Sequence, residues 1–262
     1  MTSASAIHQA SERIINAYKS GKADKPIRDL LDKGDIDGAY AVQEDVTLWR
    51  LREGARLVGR KIGLTAKAVQ TQLGVDQPDY GMLFDDMAVP DGEEIPASRV
   101  SQPRVEAEVA YILDKDLHLD KPSTADVIRA VAYAAPAIEV VDSRIANFDI
   151  TIVDTVADNA SSGLFILGND KVALDGFDGR MCGMVVENRG EPVSVGAGAA
   201  CLGHPINAVR WLAEVMTARG RPLSAGDVVM SGALGPMVPA AKGEVYEARI
   251  NGLGSVRAVF GA

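Results

Sequence analysis

Two glutamates stand in a run of residues that otherwise has the composition of a buried β-strand. The run is QPRVEAEVAYIL at residues 102–113, and it places Glu106 and Glu108 two positions apart. Residues i and i+2 of a strand point to the same face, about 6–7 Å apart along the backbone. The two carboxylates would repel each other unless the face is exposed, or basic side chains or a divalent cation neutralise them. The pattern alone leaves a solvated strand face and a cation site both open.

A third glutamate lies inside another apolar run. The segment APAIEVVDSR at residues 135–144 places Glu139 among alanine, isoleucine and valine, with Asp142 shortly after it. Three carboxylates from two strands suit an octahedral Mg²⁺ or Mn²⁺ that keeps its other positions for water and substrate oxygens. The second run therefore favours the cation site, and a chelating small molecule is the matching substrate.

Two further charged residues are candidates for the same site. Lys61 lies in the β-like run GRKIGLT, where it is either a surface lysine or a cation that balances the carboxylates and holds a substrate enolate or carboxylate. Asp76 and Asp79 flank Pro78 in DQPDYG, a composition that is also typical of a simple turn. The residues alone do not choose between these alternatives.

Two polar segments later in the chain also need an interpretation. VDTVADNASSG, residues 153–163, contains Ser161 and two aspartates without a nearby basic residue, and it is either a polar loop that lines a pocket or a capping turn. His204 precedes Pro205 at the start of a helical pattern, which favours a helix-start residue over a catalytic base.

The composition excludes several classes of protein. The 262 residues are 47% hydrophobic and 24% charged, enough for one large core or one core with an appended subdomain. The formal charge of −9 disfavours nucleic acid and anionic lipid as partners. No apolar stretch reaches the roughly 18 residues that a membrane span needs, and no secretory signal pattern begins the chain. We therefore expect a cytoplasmic protein, in which Cys182 and Cys201 are buried reduced thiols.

The first 55 residues have helical patterns. An amphipathic helix is predicted around residues 5–18, ending near Gly21, and a second helix is predicted with Asp37 as its N-cap and Gly54 as its stop. After residue 55 the pattern changes to short runs of β-forming residues separated by glycine, proline and aspartate. We expect a helical N-terminal piece on a mixed-sheet body that lacks strict βαβ alternation.

The body contains several strand candidates and one clear helix. The helix is HPINAVRWLAEVMTARG, which Gly220 closes, and Asn251-Gly252 predicts a hairpin. The strand candidates are EAEVAYIL, PAIEVVDSRI, MVVENRGEPVSVG, DVVMSG, EVYEARI and GSVRAVF. The chain has no G-x-G-x-x-G in a strand-to-helix context, no P-loop, no G-x-S-x-G and no H-E-x-x-H, so nucleotide, serine-hydrolase and zincin functions lose their main support.

Six ordered motifs together resemble one family. They are GRKIGLTAKAVQTQLGVDQPDYGMLFDDM, QPRVEAEVAYIL, PAIEVVDSRI, VDTVADNASSG, CLGHPINAVRWLA and SGALGPMVPA. The chain is similar, from about residue 35 to its end, to the 2-keto-4-pentenoate (2-hydroxypenta-2,4-dienoate) hydratases of aromatic meta-cleavage pathways, in the fumarylacetoacetate hydrolase superfamily.

The resemblance implies a fold and a metal site. The expected fold is α+β: a mixed β-roll of the fumarylacetoacetate hydrolase C-terminal type over residues 56–262, with an N-terminal helical cap over residues 1–55. The expected ligands of the Mg²⁺ or Mn²⁺ are Glu106, Glu108 and Glu139.

The resemblance also implies a reaction and roles for other residues. The reaction is the addition of water to 2-hydroxypenta-2,4-dienoate or a close homologue. We expect Asp79 to shuttle protons, Lys61 to stabilise the enolate or carboxylate, and Ser161 to position the substrate by a hydrogen bond. A homo-oligomer is expected, with association with a pathway decarboxylase or aldolase as a further possibility.

Three alternatives stay open at this point. The related 4-oxalocrotonate decarboxylases share the carboxylates and much of the ADNASS segment, although GALGPMV at residues 232–238 favours the hydratases. A hydrolase of C–C bonds in acylpyruvates would need a water-activating histidine or glutamate near the metal. A catalytically silent partner subunit is the non-enzymatic alternative, which the three intact glutamates disfavour.

Overall fold

A computed structural model of the chain describes residues 2–262, except for the side chains of residues 72 and 73. The α-helices in this range are α1 (Ala4–Ser20), α2 (Ile36–Arg52), α3 (Lys67–Leu73), α4 (Thr124–Ala130), α5 (Ile152–Ala157) and α6 (Pro205–Ala218). The strands are β1 (Leu57–Gly63), β2 (Asp79–Phe84), β3 (Ala88–Pro90), β4 (Glu94–Ile95), β5 (Arg104–Leu113), β6 (Val131–Val141), β7 (Ser162–Leu167), β8 (Gly183–Asn188), β9 (Glu191–Ala197), β10 (Val228–Ala233), β11 (Val238–Pro239), β12 (Val245–Ile250) and β13 (Gly254–Phe260).

The strands form two mixed sheets. The larger sheet has the order β2-β1-β10-β5-β6-β7-β3, with β11 added beside β5, and the smaller has the order β4-β13-β12-β8-β9. β1 pairs with β10 and β3 pairs with β7 in parallel, while β5 is antiparallel to both β10 and β6. The smaller sheet packs through β12 and β13 on β6. This arrangement confirms the α+β class and the absence of strict βαβ alternation.

The two N-terminal helices form where the pattern predicts them. The Ser3 hydroxyl accepts a hydrogen bond from the Ala6 amide at the start of α1, and Gly21 ends the helix in the left-handed conformation that favours glycine. The prediction of Asp37 as the N-cap of α2 is wrong. The N-cap is Asp35, because its backbone is non-helical and its carboxylate accepts hydrogen bonds from the Gly38 and Thr2 amides.

The later elements follow the predictions with shifted bounds. α6 begins at Pro205 with His204 as its N-cap, whose ring Nδ1 accepts a hydrogen bond from the Ile206 amide at 3.1 Å. The Asn251-Gly252 turn joins β12 to β13 as an antiparallel hairpin. β6 begins five residues before the predicted start and ends at Val141, so the predicted strand PAIEVVDSRI extends too far at its C-terminal end.

The two aspartates of the polar segment at residues 153–163 both have partners in the structure, although the sequence shows no basic residue near them. The buried Asp158 accepts hydrogen bonds from Arg144, which also donates to the carbonyl oxygens of Asp142 and Ser162. Asp154 caps the start of α5 through Thr151. The segment is therefore a buried capping structure that ties α5 to the end of β6.

Two smaller predictions can also be compared with the structure. Cys182 and Cys201 are both buried and unbridged, as expected. Within residues 2–262, none of the helices combines the length and the apolarity needed to cross a membrane.

Candidate metal centre

Antiparallel pairing of β5 and β6 brings the three glutamates together. Glu106 lies directly opposite Glu139 in the register, and Glu108 is two residues further along the same face of β5. One carboxylate oxygen from each side chain lies within 4.8 Å of the other two. Glu108 and Glu139 are fully buried, while Glu106 keeps partial exposure. Glu106 is therefore the member of the cluster that is most accessible to solvent.

Several oxygens of this cluster lack a hydrogen-bond donor. Among the described residues, neither oxygen of Glu139 and only one oxygen of Glu108 has a hydrogen-bond partner. The bonded oxygen, Glu108 Oε2, accepts from the Gly232 amide at 2.7 Å. Buried carboxylate oxygens without donors are costly. An all-carboxylate donor set of this kind fits a hard divalent cation such as Mg²⁺, Mn²⁺ or Ca²⁺.

Burial and mutual repulsion shift the ionisation of the cluster. Burial, followed by the charge of Glu139, raises the pKa of Glu106 to about 7. The same two causes raise the pKa of Glu108 well above its ordinary value. Burial also raises the pKa of Glu139, against the opposing charge of Lys61. Without a cation, the cluster therefore holds protons that free glutamates would release.

Lys61 lies beside the cluster on β1. Its side chain is buried, and its Nζ lies 3.1 Å from Glu139 Oε1 as an ion pair without hydrogen-bond alignment. Burial opposes the charge of this ammonium group, but the negative charges of Glu139 and Asp79 outweigh burial and raise the pKa of Lys61. Lys61 is therefore a fixed positive charge next to the carboxylates.

Asp79 shares the surroundings of Lys61. It begins β2 opposite Gly63 of β1, and a methyl group at Gly63 would lie 2.2 Å from Asp79 Oδ1 and 3.5 Å from Lys61 Nζ. Burial raises the pKa of Asp79, while the charge of Lys61 lowers it. Asp79 Oδ1 is buried without a hydrogen-bond partner among the described residues. A buried carboxyl group with a free oxygen is suited to exchange a proton with a bound molecule.

Ser161 lies in a buried turn between α5 and β7. Asn159, Ala160 and Ser161 all have positive φ angles, between 51° and 55°, and the Ser161 hydroxyl lies 3.1 Å from that of Thr155. In residues 2–262, the Ser161 hydroxyl makes no hydrogen bond to the three glutamates, Lys61 or Asp79. The structure therefore groups five of the six candidate residues and places Ser161 on a neighbouring turn.

Comparisons with known proteins identify the family. Residues 51–260 match the model of the fumarylacetoacetate (FAA) hydrolase C-terminal domain. The chain is 58% identical to the TodF product hydratase of Pseudomonas putida, over 97% of this chain and 95% of that protein. It is 52% identical to the 2-keto-4-pentenoate hydratase of Paraburkholderia xenovorans, over 96% and 94%.

The chain belongs to the 2-keto-4-pentenoate hydratase family of the fumarylacetoacetate hydrolase superfamily. Among solved structures, it is similar to the 4-oxalocrotonate decarboxylase from Pseudomonas putida G7 complexed with magnesium and adipate. That comparison has a TM-score of 0.94 and 37% identity, and it covers 99% of each chain. The same decarboxylase is also described in complex with calcium and acetate.

Sequence reasoning missed one group at the centre of this site. The Gly232 amide is the only described hydrogen-bond donor to Glu108, and φ at this glycine is 101°. A Cβ atom at position 232 would lie 2.5 Å from the hydroxyl of Thr65, so a side chain would clash as well as strain the backbone. The glycines of the SGALG motif at residues 231–235 could have indicated a close backbone approach at this point. The motif does not indicate which carboxylate the backbone contacts.

The cluster predicts an unusual pH dependence of stability. Because the folded pKa of Glu106 is raised to about 7, the folded chain holds more protons than the unfolded chain between the ordinary glutamate pKa and pH 7. In chelator, the wild-type chain should therefore lose stability as the pH rises from 5 to 8. Glu108→Gln should lose less stability, and its free energy of unfolding at pH 8 should exceed that of the wild type, because it removes one of the three mutually repelling carboxylates. Urea unfolding at both pH values measures the difference.

A matched control is Glu191→Gln on the exposed start of β9, which removes a negative charge far from the cluster along the chain. It should leave the pH dependence at the wild-type value. An equal response of the two variants would contradict the charge repulsion.

Proposed function

We propose that the chain is a divalent-metal-dependent hydratase. It adds water to 2-hydroxypenta-2,4-dienoate, or a close homologue, to give 4-hydroxy-2-oxopentanoate. The observation that carries the choice of reaction is identity of 51–58% with seven hydratases of this family, against 37% with the structurally similar decarboxylase. The buried carboxylate cluster supports the metal dependence, and Mg²⁺ or Mn²⁺ is the proposed ion.

Glu106, Glu108 and Glu139 would hold the metal through their carboxylate oxygens. When bound, a divalent cation supplies a Lewis acid for the C1 carboxylate and C2 oxygen of the substrate, which makes C2 a better electron sink. The ligand role of the three glutamates is supported by their convergence and by their oxygens without donors.

Lys61 and Asp79 carry the other proposed roles. The Lys61 ammonium group stabilises negative charge on the substrate enolate or carboxylate, since its charge is buried and held by Glu139. Asp79 moves protons. The enol hydroxyl loses a proton while C5 gains one, which gives the conjugated 2-oxo-3-enoate. Water oxygen then bonds to C4 and a proton is added at C3, so that the product contains one more water than the substrate.

Ser161 would donate a hydrogen bond that orients the substrate. Its turn has positive φ angles at residues 159–161, and the bonds of Asn159 to Met82 and the contact of Ser161 with Thr155 hold it in that conformation. The division into a helical cap, residues 1–55, and a catalytic body, residues 56–262, belongs to the same proposal. We also propose that the protein is cytoplasmic and forms a homo-oligomer. Its proposed partner is a decarboxylase or aldolase that acts in the same meta-cleavage catabolism.

A metal-dependent assay tests the reaction. The chain is stripped with chelator, Mg²⁺ or Mn²⁺ is restored, and the dienol absorbance of 2-hydroxypenta-2,4-dienoate is followed while the product is identified by mass. We expect metal-restored loss of the dienol with a gain of one water. Release of carbon dioxide from 2-oxohex-3-enedioate without hydration would instead place the chain with the decarboxylases. Inactivity on both substrates would favour the silent partner subunit.

Replacement of Lys61 tests the electrostatic role. Lys61→Met keeps the aliphatic chain and removes the charge, so kcat at saturating metal should fall about 10²- to 10³-fold. Lys115→Met, at an exposed position, is the control and should keep the wild-type kcat. Full turnover by Lys61→Met would remove the lysine from the mechanism.

A further inference from the structure

β2 is the outermost strand at one end of the larger sheet, so only one of its edges pairs with a strand. That edge pairs with β1, and on its other side β2 contacts α5, the turn at residues 159–161, and Tyr40 and Gln43 of α2. Unpaired backbone groups on a buried strand edge need other partners. In this protein, the partners are two amide side chains from distant parts of the chain.

Gln43 of α2 holds one position on this edge. Its Nε2 donates to the carbonyl oxygen of Tyr80 at 2.9 Å and to that of Val156 on α5 at 2.9 Å. The Gln43 side chain is 2% exposed, so water does not replace these bonds. Both donors of the amide are used, and one side chain therefore links α2, β2 and α5.

Asn159 holds the next position on the same edge. Its Oδ1 accepts from the Met82 amide at 2.6 Å, and its Nδ2 donates to the Met82 carbonyl oxygen at 2.9 Å. This pair of bonds copies the pattern of a neighbouring strand. Together, Gln43 and Asn159 replace the strand that β2 lacks.

The bonds that Gln43 and Asn159 make to β2 lie next to Asp79 in the chain. Tyr80, whose carbonyl oxygen Gln43 binds, directly follows Asp79, and the ring of Tyr80 stacks on that of Tyr40 from α2 with centroids 4.6 Å apart. Asp79 Oδ1 has no hydrogen-bond partner among the described residues, so side-chain contacts at that oxygen do not fix the carboxyl group. The carboxyl group interacts instead with the backbone of Gly63 on β1 and of Asp79 itself, so its position depends on how β2 is held against β1.

We propose that Gln43, with Asn159, is a positioning residue for Asp79, and that α2 is thereby a working part of the catalytic site. The inference rests on the proposed function, because it gives Gln43 its effect through the proton shuttle. A misplacement of about 1 Å at a catalytic group is enough to lower a rate about 100-fold. Loss of the Gln43 donors should therefore reduce kcat while the metal ligands on β5 and β6 stay in place.

The test is Gln43→Met, which keeps an unbranched side chain of similar length and removes both donors. Its matched control is Ser11→Ala, also buried in the N-terminal helices, whose hydroxyl bonds to Ile7, His8 and Asp45 but not to β2. We expect kcat of Gln43→Met to fall about 10- to 100-fold with KM and Mn²⁺ affinity within about 2-fold of wild type. Ser11→Ala should keep the wild-type kcat.

A mutant cycle separates positioning from general destabilisation. In an Asp79→Asn background, Gln43→Met should cost no further activity, because the group that it positions is already lost. Hydrogen exchange, measured without substrate, should be faster in the β2 peptide of Gln43→Met and unchanged in Ser11→Ala. If Gln43→Met does not fold, Asn159→Asp serves instead, since it keeps the acceptor for the Met82 amide and removes the donor to the Met82 carbonyl.

Three results would overturn the inference. The first is a loss of kcat in Gln43→Met that is no larger than the loss in Ser11→Ala. The second is a loss of kcat that adds in full to the loss caused by Asp79→Asn. The third is a hydrogen-exchange rate in the β2 peptide of Gln43→Met that equals the wild-type rate. A wild-type chain that does not hydrate the dienoate would overturn the proposed function instead, and the exchange comparison would still decide whether Gln43 anchors β2.

Discussion

The close packing of three carboxylates, two of them fully buried, is the constraint on which the other features of this protein depend. Glu106 and Glu139 face each other across two central strands, and Glu108 follows on the same face, so each negative charge raises the free energy of the next. Lys61 offsets part of this repulsion, and the Gly232 amide satisfies one oxygen. The other oxygen of Glu108 and both oxygens of Glu139 have no hydrogen-bond partner among the described residues. A chain that keeps such a cluster loses stability unless a cation binds there, which is the physical reason for assigning it a function.

The rest of the fold supports this cluster from two directions. The central position of β5 and β6 in the larger sheet fixes the carboxylates, because both strands are paired along both edges. Asp79 lies on the outermost strand instead, where strand pairing fixes only one edge. The amides of Gln43 and Asn159 supply the missing edge. The N-terminal helices thus take part in the geometry of the site, although they contribute none of the proposed metal ligands.

The sequence predicted the parts of this site that depend on local patterns. Strand alternation placed Glu106 and Glu108 on one face, and the apolar run around Glu139 indicated a second buried strand. Contacts between residues far apart in the chain were not predictable in this way. Gln43 binds carbonyl oxygens 37 and 113 residues away, and no periodicity encodes such a pair. The N-cap of α2 was misplaced because Asp35 and Asp37 are the same residue type two positions apart, and only the structure shows that the Gly38 amide donates to Asp35.

Mn²⁺ binding decides whether these three glutamates hold one divalent cation. Equilibrium dialysis or electron paramagnetic resonance would count the ions bound to the chelator-stripped chain and to Glu139→Gln, with circular dichroism to confirm that both are folded. We expect one Mn²⁺ per wild-type chain and an affinity about 10- to 100-fold weaker in the variant. Equal affinity in the two proteins, or no binding by the folded wild type, would contradict this expectation.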